Sequence, residues 1–180
     1  MKKKTQWITQ TAVMLAILIV LQWLTKSLGQ IVTGSCVNGV LAVTALFVGM
    51  SSGLTVALLS PVFAFVLGIA PNLVTVPAIM AGNAAYVAVV LLAGGREAAI
   101  WKRVSAWLGA ALCKFAVLYV LVVVVICGVA ADALLAQGIL KAPMLKALPA
   151  TFAAPQLVTA LIGGAVAMLI TPVLRKALRR

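Results

Sequence analysis

The sequence predicts an all-α membrane protein with six transmembrane helices, on the basis of its composition and its apolar stretches. The chain of 180 residues is 65% hydrophobic and 9% charged, whereas soluble domains are typically ~45–50% apolar and ~25% charged. A bilayer crossing needs ~20 mostly apolar residues, and the sequence holds six such stretches with short connections. We therefore expect residues 1–180 to form a single transmembrane domain.

The apolar stretches give approximate bounds for the six spans. The predicted spans are residues 7–25, 31–50, 53–70, 73–94, 104–128 and 152–174. The first span follows three lysines, as a secretion signal does, but the sequence WLTKSLGQ after it lacks the small residues of a cleavage site. We therefore expect an uncleaved first helix.

Basic residues predict the orientation of these spans. The chain has 14 Lys and Arg but two acidic residues, for a net charge of +12. With the N-terminus inside, ten basic residues fall in cytoplasmic segments and three in external ones, which fits the positive-inside rule. The inner residues are Lys2, Lys3, Lys4, Arg96, Lys102, Arg103, Arg175, Lys176, Arg179 and Arg180, and the outer ones are Lys26, Lys141 and Lys146. We expect both termini in the cytoplasm and the basic residues beside anionic lipid, not nucleic acid.

Glycine and proline mark the expected irregularities. The segment 49–53, with glycine at both ends, predicts a tight turn between spans two and three. Pro61 in the middle of span three predicts a kink or a break, because proline removes a backbone hydrogen bond. The longest connection, residues 131–151, mixes leucine and lysine and predicts a short helix, acting either as a lid or as an interfacial helix.

The chemistry-bearing residues argue against an enzyme and against a bound metal or other cofactor. The chain has no histidine, and its acids, Glu97 and Asp132, fall at opposite faces of the membrane. Cys36, Cys113 and Cys127 lie in apolar stretches without a metal-binding spacing and are expected to be small buried residues. A membrane-embedded enzyme acting on lipid or isoprenoid and a helical assembly or channel protein remain the alternatives to a binding protein.

Lys114 is the most informative polar residue. It lies about ten residues, or ~15 Å, into span five, near the bilayer centre. A lysine at that depth costs ~2.5–3.5 kcal/mol on insertion scales. The side chain either snorkels toward the cytoplasmic headgroups or faces a cavity, where it would attract an anionic or carbonyl-rich ligand.

Other polar residues are candidates for the same site. Asn38 and Asn83 are predicted to lie ~10 and ~15 Å below the outer surface, where an amide can hold a heterocycle or link two helices. Tyr86 lies one helical turn beyond Asn83 and can stack on a ring or pack in the core. Three further amides are expected at the outer rim: Gln30, Asn72 and Gln156.

Small residues form a stripe along the first span. Thr9, Ala12 and Ala16 recur at intervals of three and four residues, which places them on one helix face. Such a stripe permits close contact with another helix, either within this chain or in a partner.

Together these features resemble the substrate-binding S subunit of energy-coupling factor (ECF) transporters, the prokaryotic vitamin-uptake systems. The A-x-x-x-A motif of that family is present as Ala12-Val-Met-Leu-Ala16, and GQIVTGSCVNG, GLTVALLSPVFAFVLGIAPN and VPAIMAGNAAY resemble its central block. The resemblance covers residues 5–174. The vitamin-specific motifs of the family are absent, so the sequence does not identify the substrate.

The resemblance implies a function and partners. An S subunit of this family captures a substrate from outside, in a pocket built from spans four to six and the external loops. It then docks on a membrane T subunit, coupled to two ATP-binding subunits, and topples to release the substrate inside. Ala12 and Ala16 would form the docking face for the T subunit. The chain has no G-x-x-x-x-G-K-[ST] motif, so ATP hydrolysis is expected on the partners.

Overall fold

The computed structural model describes residues 2–94 and 98–177, and all the regular secondary structure of these residues is helical. In chain order the helices are α1 (Lys2–Thr25), α2 (Gln30–Val43), α3 (Met50–Val66), α4 (Thr75–Gly94), α5 (Ile100–Leu118), α6 (Ala131–Ala136), α7 (Ala142–Phe152) and α8 (Ala154–Ala177). Wider π-helical segments, Thr44–Val48 and Tyr119–Val129, extend α2 and α5. The predicted inner positions of Arg96, Arg179 and Arg180, the position of Glu97 and the side chains of Lys2 and Lys3 lie outside the described residues.

Five helical stretches of the described chain are long and apolar enough to cross a membrane. They are Lys4–Leu28, Gln30–Val48, Thr75–Ala93, Ile100–Val129 and Ala142–Ala177. These stretches confirm the predicted class of an all-α protein with several membrane spans. The remaining predicted span corresponds to α3, which is apolar but has 17 residues and would extend ~25 Å against a hydrocarbon core of ~30 Å. A count of six spans therefore stays a prediction.

Helix α3 differs from its predicted form at both ends and in its middle. It begins directly after Gly49, whose φ of 139° turns the chain in a single residue, so Gly53 lies inside the helix and not in the turn. The helix runs through Pro61 to Val66, so the expected break is absent. A proline deprives the helix of one N–H donor, and the neighbouring turns remain helical here. The chain then leaves the helix at Gly68, with a φ of 67°.

The connections between the long helices collect at two ends of the bundle. At one end, called here the α7 end, lie residues 26–29, 67–74 and 130–153, and Asn72 Nδ2 donates to the carbonyl of Ile139 at 3.0 Å across two of these connections. At the other end, the terminal end, lie the start of α1, Gly49 and the last turns of α8. Arg175 donates there to the carbonyl of Leu46 at 3.0 Å.

Glycines allow α2 and α8 to approach closely. A Cβ atom added at Gly163 would lie 2.5 Å from the carbonyl oxygen of Ser35 and 2.7 Å from the Cβ of Asn38, and one added at Gly34 would lie 2.8 Å from a methyl group of Thr159. Because only hydrogens occupy these places, the helix backbones touch. This crossing brings Asn38 of α2 beside Thr159 of α8.

The long connection before α8 is helical, as predicted, but it forms two short helices, α6 and α7, where one was expected. Leu148 and Phe152 of α7 are buried in a cluster with Leu118 and Val122. The α7 helix therefore packs on the bundle with one apolar face. The three cysteines are free and half-buried, and are less enclosed than expected because their helix faces border the bundle surface.

Candidate functional site

Three polar side chains meet in the interior of the bundle. The Nζ of Lys114 on α5 donates to the Oδ1 of Asn38 on α2 and to the Oδ1 of Asn83 on α4, both at 2.6 Å. All three side chains are at most 3% exposed. The ammonium group is therefore held inside the bundle by two amide oxygens and does not extend along the surface toward headgroups.

Close helix contacts place both asparagines. Asn38 is followed by Gly39, which packs on the backbone of Gly163 in α8. Asn83 is preceded by Gly82, where an added Cβ would lie 2.8 Å from the Leu118 side chain of α5. A glycine beside each asparagine lets three helix backbones come near enough for short amide side chains to reach one lysine.

Hydrogen bonds extend this cluster toward the α7 end. The Nδ2 of Asn38 donates to the Thr159 hydroxyl at 3.2 Å, and that hydroxyl donates to the carbonyl of Gln156 at 3.1 Å. The Nε2 of Gln156 donates to the carbonyl of Thr151, in the last turn of α7, at 3.3 Å. A continuous polar path thus joins the buried lysine to α7.

The three clustered residues line one cavity of about 90 Å³, called here the asparagine–lysine cavity. It extends to the α7 end, where Gln30 and Pro71 line it and are exposed. Its other polar lining residues are Gln22, Thr33, Ser60, Thr151 and Gln156, and its apolar lining residues include Pro61, Ala64, Ile79 and Phe152. Residues of α1 to α5, α7 and α8 contribute, so this cavity draws on more of the chain than the pocket of spans four to six that the resemblance implies.

Two polar atoms in the wall of this cavity have no hydrogen-bond partner. They are the Oε1 of Gln22 and the Oγ of Ser60, both buried. Buried polar atoms in native proteins are nearly always hydrogen-bonded. An unsatisfied pair lining a cavity therefore indicates places where a ligand or water binds.

Two of the predicted site residues do not line this cavity. Asn72 donates to the carbonyl of Ile139 and accepts from the amide of Val74 at 3.1 Å. It therefore holds together the connections at the α7 end. Tyr86 is fully buried, and its hydroxyl donates to the carbonyl of Ala160 at 3.4 Å. Its ring centroid lies 5.8 Å from the Nζ of Lys114, within the range of a cation–π contact.

Sequence reasoning missed Gln22, Ser60 and Thr159. Hydroxyl residues are common in membrane helices, where they bond to their own backbone, so Ser60 and Thr159 carried no distinctive signal. Gln22 lies one turn before Lys26, close to the end of the first span, where a polar side chain is not unusual. The proline next to Ser60 was the available clue, because irregular backbone in a membrane helix is tolerated beside a cavity.

A second cavity, of about 80 Å³, lies toward the terminal end. Its lining includes Tyr86, Trp107, Arg103 and Arg175. The indole of Trp107 donates to the carbonyl of Leu161 at 3.0 Å, and Gly164 leaves the space that this indole fills. The ring of Tyr86 therefore stands between the two cavities.

The small-residue stripe of α1 faces away from the rest of the chain. Thr9, Ala12 and Ala16 are exposed, whereas Thr11 on the opposite face bonds to the hydroxyl of Ser52 in α3 at 2.7 Å. Only 17% of the apolar window of α1 is buried, against 50% in α2. The stripe is therefore not used for packing within the described part of this chain.

The chemistry of the cluster is suited to binding a ligand. In residues 2–94 and 98–177 there is no group of three His, Cys, Asp or Glu side chains that could hold a metal ion. The cluster supplies a cation and amides, which hold a ligand but do not form a nucleophile with its base.

Comparison with known proteins identifies the family. The profile described as "ECF transporter, substrate-specific component" matches residues 6–175, nearly the whole chain. No curated protein and no solved structure matches. The family and the apolar helices together confirm a multi-pass membrane protein, and the family is one of transporter substrate-binding subunits and not of enzymes. The chain therefore belongs to the substrate-specific components of ECF transporters, and it is a substrate-binding subunit of a membrane transporter.

Proposed function

We propose that this chain captures a micronutrient, of the vitamin-like kind, in the asparagine–lysine cavity and delivers it into the cell. The delivery requires docking on a membrane T subunit that carries two ATP-binding subunits. The observation on which the proposal rests is the buried contact of Lys114 with Asn38 and Asn83 at the base of a cavity. Burial of a lysine without an acidic partner costs desolvation free energy. A role in ligand binding would explain why this residue is kept despite that cost.

Each proposed site residue has its own part. Lys114, Asn38 and Asn83 contact the substrate at the base of the cavity, and Gln30 contacts it at the mouth. Tyr86 supports Lys114 from the far side. Asn72 acts indirectly, because it fixes the connection before α7. The α7 helix serves as the lid, since Thr151 and Phe152 line the cavity.

The orientation in the prokaryotic cytoplasmic membrane follows from the basic residues. With both termini in the cytoplasm, the α7 end faces the outside and the cavity opens to the medium. Lys141 and Lys146 then lie on the outer side, and Lys102 and Arg103 on the inner side. This orientation is the one that uptake requires.

We assign T-subunit docking to Ala12 and Ala16. Both are exposed on a helix whose opposite face packs on α3. Small side chains permit a partner helix to approach closely in a bilayer, where van der Waals packing is the main driving force. The α1 helix is also the least buried long helix of the described chain, so a partner can cover it without rearranging the bundle.

Substrate capture can be tested by identifying what the purified protein retains. We expect mass spectrometry of the released contents to find one small molecule, and calorimetry with it to show binding to the protein. Lys114→Met should weaken that binding tenfold to a hundredfold, because a hydrogen bond to a charged group contributes ~1.5–3 kcal/mol.

Lys146→Met is the matched control, since it removes the same charge from an exposed position on α7. It should leave the affinity unchanged. Equal affinity of the Lys114→Met variant and the wild type would show that the substrate binds elsewhere.

A further inference from the structure

We infer that the substrate is an organic monoanion whose carboxylate-like group is held by Lys114. The same molecule also carries an N–H or O–H group that donates to Gln22 or Ser60. This inference rests on the proposed function, because it specifies the ligand of the same cavity. It comes from three observations: the charge at the base of the cavity, the unsatisfied atoms in its wall and its volume.

The charge of Lys114 is not neutralised within the described residues. An ammonium group has three N–H donors, and two of them go to the neutral amides of Asn38 and Asn83. The chain has only two acidic residues. Asp132 is exposed on α6, and Glu97 lies outside the described residues. The cavity therefore presents one positive charge and one remaining donor, which a single anionic group satisfies.

The wall of the cavity requires a second kind of group on the ligand, a hydrogen-bond donor. Both unsatisfied atoms can accept a hydrogen bond, and the Oε1 of Gln22 can only accept. A carboxylate cannot serve it, because an ionised carboxylate is an acceptor alone. A ligand that satisfies this oxygen directly must therefore also carry a donor, such as a hydroxyl group or a ring N–H. A second cation is disfavoured, because none of the described residues that line the cavity is acidic.

The volume limits what enters in this conformation. A cavity of about 90 Å³ is smaller than the ~150 Å³ cavity that accommodates benzene in an engineered protein. It fits a compact acid, or the acidic end of a longer molecule whose remainder lies toward Gln30 and the α7 end. The apolar side chains of Pro61, Ile79 and Phe152 surround its non-polar part.

Four probes of similar size separate the chemical classes: propanoate, propanamide, propylammonium and lactate. Binding is measured on the purified full chain by thermal unfolding at millimolar probe concentrations, because fragments of this size bind weakly. We expect propanoate to bind at least tenfold more tightly than propanamide, and propylammonium not to bind. Lactate, which adds a hydroxyl group, should bind twofold to tenfold more tightly than propanoate.

Variants assign these preferences to side chains. Asn83→Asp keeps the shape of the cluster and places a carboxylate beside Lys114, so the preference for propanoate over propanamide should disappear. If that variant does not fold, Lys114→Met tests the same point by removing the charge. Of the two variants Ser60→Ala and Gln22→Met, the one that removes the acceptor used by the hydroxyl group should abolish the advantage of lactate over propanoate. Lys146→Met should change neither preference.

The inference is overturned if propanamide or propylammonium binds as well as propanoate, if no probe binds, or if the preference survives both Asn83→Asp and Lys114→Met. These outcomes are distinct from a failure of the proposed function. A retained molecule that is neutral or cationic, and whose binding depends on Lys114, would leave substrate capture standing and refute the anionic class.

Discussion

Among single residues, Thr159 connects the cluster of Lys114, Asn38 and Asn83 to the backbone of α8. Its hydroxyl accepts from the Nδ2 of Asn38 and donates to the backbone of Gln156. The Oδ1 of Asn38 is thereby turned toward Lys114. Thr159 does not line the cavity itself, so it acts as a positioning residue.

Thr159→Val should loosen Asn38 and weaken ligand binding twofold to tenfold, because it replaces the hydroxyl by a methyl group of similar volume. The loss of one buried hydrogen bond should also lower the free energy of unfolding by ~0.5–1.5 kcal/mol. Calorimetry and thermal unfolding measure the two effects. Thr55→Val is the control, since the Thr55 hydroxyl bonds only within its own helix, to the carbonyl of Ser51, and an equal effect there would remove Thr159 from the site.

The residue scale also shows how far sequence reasoning reached. Lys114, Asn38 and Asn83 were predictable because polar groups are expensive at membrane depth. Their mutual contact was not, because it depends on how three helices are rotated about their axes. Glycines set those rotations, and the sequence does not say which glycine meets which helix. Gln22 and Ser60 were missed because neither has a distinctive signal in the sequence.

Among the helices, α1 is the element whose two faces have different tasks. One face holds the helix on the bundle through Thr11 and Leu18, and the other presents the small-residue stripe. Because the stripe has no partner helix within the described chain, the proposed docking face and the proposed ligand cavity are separate parts of the molecule. They should therefore be separable by mutation.

Ala16→Leu should weaken association with the T subunit about fivefold to a hundredfold, because added volume in a close helix contact costs ~1–3 kcal/mol. Ligand binding by the isolated chain should not change. Co-purification of the T and ATP-binding subunits measures the first effect. Ala116→Leu, an equal enlargement at an exposed position of α5, is the control; undiminished co-purification with Ala16→Leu would place the docking face elsewhere.

The bounds of the helices were predictable to within a few residues, since each follows the apolar stretches of the sequence. The main disagreement is α3, which was expected at residues 53–70 and is found at Met50–Val66. A turn of one residue at Gly49 and an early end before Gly68 shift it toward the N-terminus. Hydropathy does not register such backbone angles, because all of these residues are compatible with a bilayer.

For the whole molecule, the asymmetry of charge between its two ends is the feature on which the proposed orientation in the membrane rests. The described basic residues of the terminal end include Lys102, Arg103 and Arg175, and those of the α7 end include Lys26 and Lys141. Retention of cationic segments on the cytoplasmic side orients helices during insertion. In the proposed orientation, with the terminal end in the cytoplasm, the asparagine–lysine cavity opens to the outside at the α7 end, as uptake requires.

Cysteine labelling in intact cells should confirm this orientation. In a variant without native cysteines, Lys141→Cys should react with a membrane-impermeant maleimide, and Lys102→Cys should react only after the membrane is permeabilised. The reason is that α7 lies at the outer end and the start of α5 at the inner end. Labelling of both positions before permeabilisation, or of position 102 alone, would contradict the proposed topology.

The position of the Tyr86 ring between the two cavities bears on how the membrane voltage acts on this protein. When water fills both cavities, most of the voltage falls across the thin apolar layer that separates them, and Lys114 lies at the edge of that layer. Moving one charge through the full membrane field is worth ~2.3 kcal/mol per 100 mV. A charged ligand that reaches Lys114 has therefore travelled a long geometric distance but only a small electrical one. Its binding should depend weakly on voltage, and most of the electrical work of the proposed import should fall on the later step in which the docked subunit topples.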